Sequence, residues 1–265
     1  MSIYDAVAPA FDRHRQIPEA ALEAIRAEIL DFFGRASKPR LLDIGAGTGR
    51  IGLPFVAAGD DYVALDLSFG MLRQFDQRAR QRNHLLPCLV QADGQHLPFR
   101  DAAFDAVMLI QVFGGLRPWR KVMEEARRVL AYAGLIFVGR SISPTIGLDA
   151  QMKQHLATIL SELGIKTKGV NSREDVLRWL EAEADRSGAI VAAGWDVERT
   201  PRGFLSRHQT GASFSALPER VKEDAIRQLS AWAEVTFGSL DQRVQERQSF
   251  ELRFFELTKG ASQNE

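Results

Sequence analysis

The sequence predicts an α/β fold: a doubly wound, mostly parallel sheet of seven strands, with helices on both faces and a helical cap inserted before the last strands. Three observations carry that expectation. Strand and helix patterns alternate from residue 38 to residue 140, as in parallel strands joined by crossover helices. The apolar run Ala106-Val-Met-Leu-Ile110 is unbroken, as suits a strand covered on both faces. A turn with glycines at 45, 47 and 49 follows the first strand and opens a helix, and open α/β sheets bind ligands at such turns.

Each element has its own local signal. Residues 18–34 predict a helix: Leu22, Ile25, Ile29 and Phe33 recur at three- and four-residue spacing, Pro18 suits the first turn, and Gly34 suits the end. Strands are expected at 38–44, 62–67, 86–92, 103–110 and 134–139, with helices at 50–58, 69–82 and 119–131 between them. Beyond Arg140 the alternation stops. Helices are expected at 148–163, 173–186 and 218–237, the last opened by Pro218. A short strand is expected at 195–199, and the half-alternating 249–257 (SFELRFFEL) predicts the final strand. The expected organisation is an N-terminal helical lid over 1–37, a ligand-binding core over 38–140, a mainly helical cap over 141–247, and a strand over 248–258 that returns to the core sheet. The polar residues from Lys259 onward read as a frayed end.

Composition narrows the function classes. The chain has 265 residues, enough to bury a sizeable core, with 45% hydrophobic and 26% charged residues, as in a globular protein. Lys+Arg and Asp+Glu are both 34, so no net positive charge points to nucleic-acid binding. The single cysteine, Cys88, excludes an intrachain disulfide and a cysteine-only zinc site, and its apolar surroundings predict a buried, inert thiol. The N-terminus lacks the basic-then-apolar pattern of a signal peptide, and no apolar run reaches membrane-spanning length, so a cytoplasmic location without membrane association is expected.

The chemistry lies in Leu41-Leu-Asp-Ile-Gly-Ala-Gly-Thr-Gly-Arg50. Glycines there permit positive φ and let a ligand approach the backbone. A dinucleotide fingerprint reads G-x-G-x-x-G. Counted from Gly45 its sixth position is Arg50, whereas the shifted reading Gly47-Thr-Gly-Arg-Ile-Gly52 fits but falls late relative to the strand. Asp43, just before the glycines, would repel a pyrophosphate and suits a cationic ligand.

The segment Asp43-Ile-Gly-Ala-Gly-Thr-Gly49 resembles motif I of the class I S-adenosylmethionine-dependent methyltransferases, D/E-x-G-x-G-x-G, in the small-molecule type of ubiquinone and menaquinone biosynthesis (methyltransferase type 11). The resemblance implies a Rossmann-like fold, S-adenosylmethionine as cofactor with S-adenosylhomocysteine as its product, and a small-molecule methyl acceptor. By the same resemblance Asp43 organises the amino end of the cofactor, and Gly45, Ala46, Gly47 and Gly49 line its methionine part. Val63-Ala-Leu-Asp-Leu-Ser68 resembles the next motif, so Asp66 accepts from the ribose hydroxyls, and Leu67 and Met71 lie by the adenine. Asp66 itself favours a nucleoside without choosing between cofactors. Gln91-Ala-Asp-Gly-Gln-His-Leu-Pro-Phe99 resembles the A-D-A/G-x-x-L-P-F segment, in which Asp93 and Gly94 meet the adenine edge. Phe104-Asp-Ala-Val-Met with Gln111-Val-Phe113 resembles the fourth motif, placing Gln111 by the cofactor and Phe113 by the acceptor. Glu125 to Ile136 resembles the R-V-L-x-x-G-G hallmark, with Ala133 in place of the first glycine. Tyr4-Asp-Ala-Val-Ala-Pro-Ala-Phe-Asp12 resembles the N-terminal segment that folds over the site, making Tyr4, Phe11 and Arg15 lid residues, the first and last toward the cofactor and Phe11 toward the substrate. The resemblance covers residues 1–140 and thins beyond.

No catalytic base is specified by sequence. The candidates are His14 and His208, the latter also as a substrate contact, because their segments are expected to face the site; the five histidines show no metal-ligand spacing. Methyl transfer needs chiefly alignment and exclusion of water, and a base only if the acceptor must lose a proton. No Asn/Asp-Pro-Pro-Tyr/Phe sequence follows the fourth strand, which by the family resemblance argues against methylation of DNA amines; O- or C-methylation of a small molecule is the favoured expectation. Trp179, Trp195, Phe204, Phe214 and Trp232 in the expected cap read chiefly as its core. The alternatives are an NAD-dependent oxidoreductase using the shifted glycines and a non-catalytic cofactor-binding partner subunit.

Overall fold

The computed structural model describes residues 17–34, 37–82, 86–113, 118–165, 172–209, 214 and 217–258. The expected lid residues Tyr4, Phe11, His14 and Arg15 lie outside them. The described chain runs α1 (Glu19–Asp31), β1 (Leu41–Ile44), α2 (Leu53–Ala58), β2 (Tyr62–Asp66), α3 (Phe69–Gln81), β3 (Cys88–Gln91), β4 (Phe104–Ile110), α4 (Trp119–Val129), β5 (Leu130–Ile142), α5 (Leu148–Glu162), α6 (Ser172–Glu183), β6 (Arg186–Arg199), α7 (Pro201–Gln209), α8 (Glu219–Phe237) and β7 (Val244–Leu257). The seven strands form one sheet in the order β3-β2-β1-β4-β5-β7-β6. Every pairing is parallel except those of β7, which runs antiparallel to β5 and β6.

The central strands β1 and β4 are buried on both faces, successive residues pointing to opposite sides. Leu41 of β1 joins Tyr62, Ala64, Phe75, Met108 and Phe137 on one side, where α1 also packs through Ile25 and Ile29. Leu42 and Ile44 join Val107, Leu109 and Ile136 on the other, with Met123 and Ala126 of α4 and Val176, Leu177 and Leu180 of α6. A separate cluster holds α5, α7 and α8 together through Met152, Leu156, Phe204, Leu205, Ala225 and Leu229. These three helices are the part of the cap expected over 141–247 that has its own apolar cluster; α6 and β6, in the same range, belong to the sheet and its covering layer.

Several expectations change in detail. The first helix is a layer of the sandwich: Ile25 and Ile29 are fully buried against the sheet, so residues 19–31 are core and not lid. The strand expected at 195–199 begins at Arg186 and pairs along its length with β7. Its Gly- and Ala-rich start has weak intrinsic strand preference, and its partner supplies the ladder. The helix before it packs on the sheet beside α4, so Trp179 belongs to that layer and Trp195 to the opposite face, leaving Phe204, Phe214 and Trp232 in the cap. Cys88 is exposed, because the apolar run around it forms a four-residue edge strand paired only with β2. No described helix is long and apolar enough to cross a membrane.

Candidate functional site

Strand order reverses between β1 and β4, so a crevice opens beyond their carboxyl ends. The loop after β1 is laced to the end of β2: the amides of Gly45 and Ala46 donate to Leu65 O at 2.8 and 3.0 Å. Gly45, Gly47 and Gly49 all have positive φ, but each is small for a different reason. A Cβ on Gly45 would lie 2.4 Å from Cγ2 of Val112, two residues past β4. A Cβ on Gly49 would lie 2.2 Å from the Phe75 ring of α3. At Gly47 the nearest atom is the Gly45 carbonyl at 4.0 Å, so there the backbone faces open space. The loop is held by packing at both ends and bare in the middle.

The glycine that supported the shifted dinucleotide reading has a packing role. Gly52 has ordinary negative φ and precedes α2, and a Cβ there would lie 2.3 Å from the Tyr62 hydroxyl and 2.8 Å from Phe75 Cζ.

Asp43 interrupts the apolar ladder of β1 one residue before its end and is buried, at 2% exposure. Its Oδ2 accepts a hydrogen bond from the Tyr62 hydroxyl at 2.6 Å. Its Oδ1 is buried without a hydrogen-bond partner among the described residues. Burial pushes the carboxyl up to about 7; the Tyr62 hydrogen bond opposes that shift and the charge of Asp66 adds to it. A buried carboxylate with an open acceptor oxygen is costly unless a cation or donor meets it.

Asp66 ends β2, partly exposed, and organises backbone: Oδ2 accepts from Gly47 N–H at 2.9 Å and Oδ1 from Ser68 N–H at 2.8 Å. Each carboxylate oxygen can accept a further bond, so a ligand hydroxyl can share it. The helix cap is Ser68, whose Oγ accepts from Met71 N–H at 3.2 Å, and Asp66 is not the capping residue. Leu67 and Phe69 are more than half exposed beside it, whereas Met71 is buried, so the apolar surface offered at this edge is Leu67 and Phe69. Sequence reasoning passed over Phe69, which alternation from Leu67 signals.

Asp93 shapes its own turn: Oδ1 accepts from Gln95 N–H at 2.9 Å and Oδ2 from Gln95 Nε2 at 3.2 Å. Gly94 sits against Ile44 and Val122, each 3.3 Å from where a Cβ would stand. Gln111 takes φ +56, a left-handed conformation that residues with a Cβ rarely adopt. Its side chain accepts from Arg50 and donates to Ser141 Oγ at 2.9 Å, tying the loop after β1 to β5 across the switch point. Non-glycine residues held in such conformations concentrate at functional sites. Phe113 is buried on the α4 side. Asp105, at the far end of β4, pairs with Arg40 and belongs to the scaffold.

His208 lies in the cap. Its ring stacks on Phe204 at 3.8 Å, and Nδ1 donates to the Phe204 carbonyl at 3.1 Å. Burial pushes it down to about 4, so it is neutral at physiological pH. No cluster of three or more His, Cys, Asp or Glu suited to a metal occurs among the described residues.

Residues 42–138 match the family model described as a methyltransferase domain. A demethylmenaquinone methyltransferase from Clavibacter sepedonicus is 30% identical over 217 residues, 78% of this chain and 88% of that protein. One from Renibacterium salmoninarum is 31% identical over 147 residues, 55% of this chain and 60% of that protein. The crystal structure of the YcgJ protein from Bacillus subtilis superposes with a TM-score of 0.57 at 18% identity, covering 92% of this chain and 100% of that one, which bears on the fold alone. The sheet with its single antiparallel strand, the glycine loop at the switch point and a 30% identical relative matched over most of its length lead to one family: this chain belongs to the class I S-adenosylmethionine-dependent methyltransferases of small molecules.

Proposed function

We propose that this protein transfers a methyl group from S-adenosylmethionine to a carbon or oxygen of a small aromatic acceptor of the quinol type. The acceptor class draws support from relatives named demethylmenaquinone methyltransferase. The observation that carries the cofactor assignment is Asp43, a buried carboxylate with an unpartnered oxygen next to the open backbone at Gly47.

S-adenosylmethionine, when bound, supplies a sulfonium-activated methyl group that a nucleophile takes by in-line displacement. In this reading Asp43 Oδ1 accepts from the amino group, and its burial strengthens that contact by excluding water. The backbone of Gly45, Ala46, Gly47 and Gly49 makes the close approach. Asp66 accepts from the ribose hydroxyls while keeping the loop in place through Gly47 N–H. Leu67 and Asp93 with Gly94 bracket the adenine, with Met71 behind. Gln111 and Phe113 stand where donor and acceptor meet. By the sequence resemblance Tyr4 and Arg15 are assigned to the cofactor and Phe11 to the acceptor, with His14 a candidate base. His208, neutral and engaged within its helix, is better suited to shaping the cap than to removing a proton.

Incubation with methyl-labelled cofactor and a demethylated naphthoquinol should give a labelled, organic-extractable product. Absence of label with naphthoquinols and with a whole metabolite extract, despite bound S-adenosylhomocysteine, would instead favour a non-catalytic subunit.

A further inference from the structure

We propose that Tyr62 is a positioning residue for this site: its hydroxyl pins Asp43 so that the second carboxylate oxygen remains available to the ammonium group of the ligand. The inference rests on Asp43 holding that cationic end.

Tyr62 opens β2 opposite Leu41, two residues before the position paired with Asp43. Side chains at 41, 43, 62 and 64 therefore share one face, and the Tyr62 ring runs diagonally toward the carboxyl end of β1. Three contacts fix it there. It stacks on Phe55 with centroids 5.3 Å apart, and meets Phe75 edge-on at 6.4 Å. The missing side chain at Gly52 leaves the space its hydroxyl occupies. A phenylalanine would fill this apolar niche equally well, so packing alone does not account for the hydroxyl. Burying a hydroxyl against a carboxylate also costs more stability than an apolar pair of the same shape. The pair makes sense as a device that orients Asp43 and favours its charged form.

The groups acting on Asp43 are few. Asp66 on β2 disfavours its ionisation, and Tyr62 favours it. Across the ladder β4 presents Met108. Of the neighbouring cations, Arg50 reaches Gln111, and Arg78 of α3 reaches the Thr48 carbonyl at 3.3 Å. Removing the Tyr62 hydroxyl therefore removes the hydrogen bond that holds the carboxyl down toward 7.

The test is the affinity for S-adenosylhomocysteine, measured by calorimetry from pH 6 to 8.5 in Tyr62→Phe, Asp43→Asn and the double variant. Tyr62→Phe should weaken binding about tenfold at pH 7 and move the midpoint of the pH dependence up by about one unit. Asp43→Asn should lose about a hundredfold or more and the pH dependence with it, and the double variant should match Asp43→Asn. A Tyr62→Phe protein that melts lower but binds with unchanged affinity and midpoint would overturn the proposal, as would full additivity in the double variant. Wild-type affinity in Asp43→Asn would mean that the site reading itself has failed, a result distinct from the Tyr62 outcomes. Should Tyr62→Phe not fold, 3-fluorotyrosine at position 62 keeps the ring and makes a stronger donor. The midpoint should then move down, and an unmoved midpoint would overturn the idea.

Discussion

Asp43 concentrates the conflict between stability and function. Its folded-state value of about 7 stands above the ordinary 3.8, so the folded chain binds more protons than the unfolded chain between those two pH values. The stability contributed by this group is full below about pH 4 and lost as pH rises through 7. Asp43→Asn should therefore be more stable than the parent protein at pH 8, by up to about 4 kcal/mol, with the gap closing as pH falls toward 4. Melting curves at several pH values without ligand check this; a variant less stable at pH 8 would show that the carboxylate is better compensated than its geometry indicates. The loop glycines separate in the same way. Gly49→Ala meets the Phe75 ring and takes a left-handed φ, and should cost about 3 kcal/mol in chemical denaturation. Gly47→Ala meets nothing and should cost only about 1 kcal/mol. Yet Gly47→Ala should be the variant that loses S-adenosylhomocysteine while still folded, because its methyl occupies the bare middle of the loop.

At the scale of elements, the junction between α4 and β5 offers a test free of ligand. Ala133 stands where the family hallmark has glycine, and it keeps the left-handed backbone with φ +56. Ala133→Gly should stabilise the protein by about 0.5–1 kcal/mol, since relief of strain outweighs the added unfolded-state entropy. An unchanged or lower denaturation midpoint would argue against strain at that residue. A second element-scale device is Glu246 on β7, buried under the start of α5, whose carboxylate accepts from Leu148 N–H. It caps the helix with a residue nearly a hundred positions away, so Glu246→Ala should destabilise by about 1–2 kcal/mol and loosen the cap, read as faster amide exchange in α5. The elements that were legible in sequence are those whose signals are local. The glycine turn, the acids near the ends of two strands and the apolar run of β4 each sit within a few residues of their partners in the pattern. Tyr62 was missed because its role depends on a diagonal neighbour in β1. The signal was present as a tyrosine four residues before Asp66, on the face shared with Asp43. The start of β6 was missed because Gly188, Ala189 and Ala193 carry little strand preference, and only pairing with β7 decides them. The exposure of Cys88 depends on strand order, which no local pattern encodes.

On the scale of the whole molecule, sheet topology brings the site together. The reversal between β1 and β4 sets Gly45 against Val112, and Gln111 bridges Arg50 and Ser141, so three strand ends from distant parts of the chain close around one crevice. The helices α5, α7 and α8 have their own apolar cluster, and α5 follows the carboxyl end of β5, which runs parallel to β4. The acceptor is therefore expected between cap and loop, and shortening the cap should change acceptor preference more than cofactor affinity. The most direct test of the whole account is a calorimetric titration of the wild-type protein at pH 8 with S-adenosylhomocysteine and, separately, with NADH. The account predicts saturable binding of S-adenosylhomocysteine that Asp43→Asn abolishes, and no binding of NADH. Binding of NADH with no response to S-adenosylhomocysteine would contradict it.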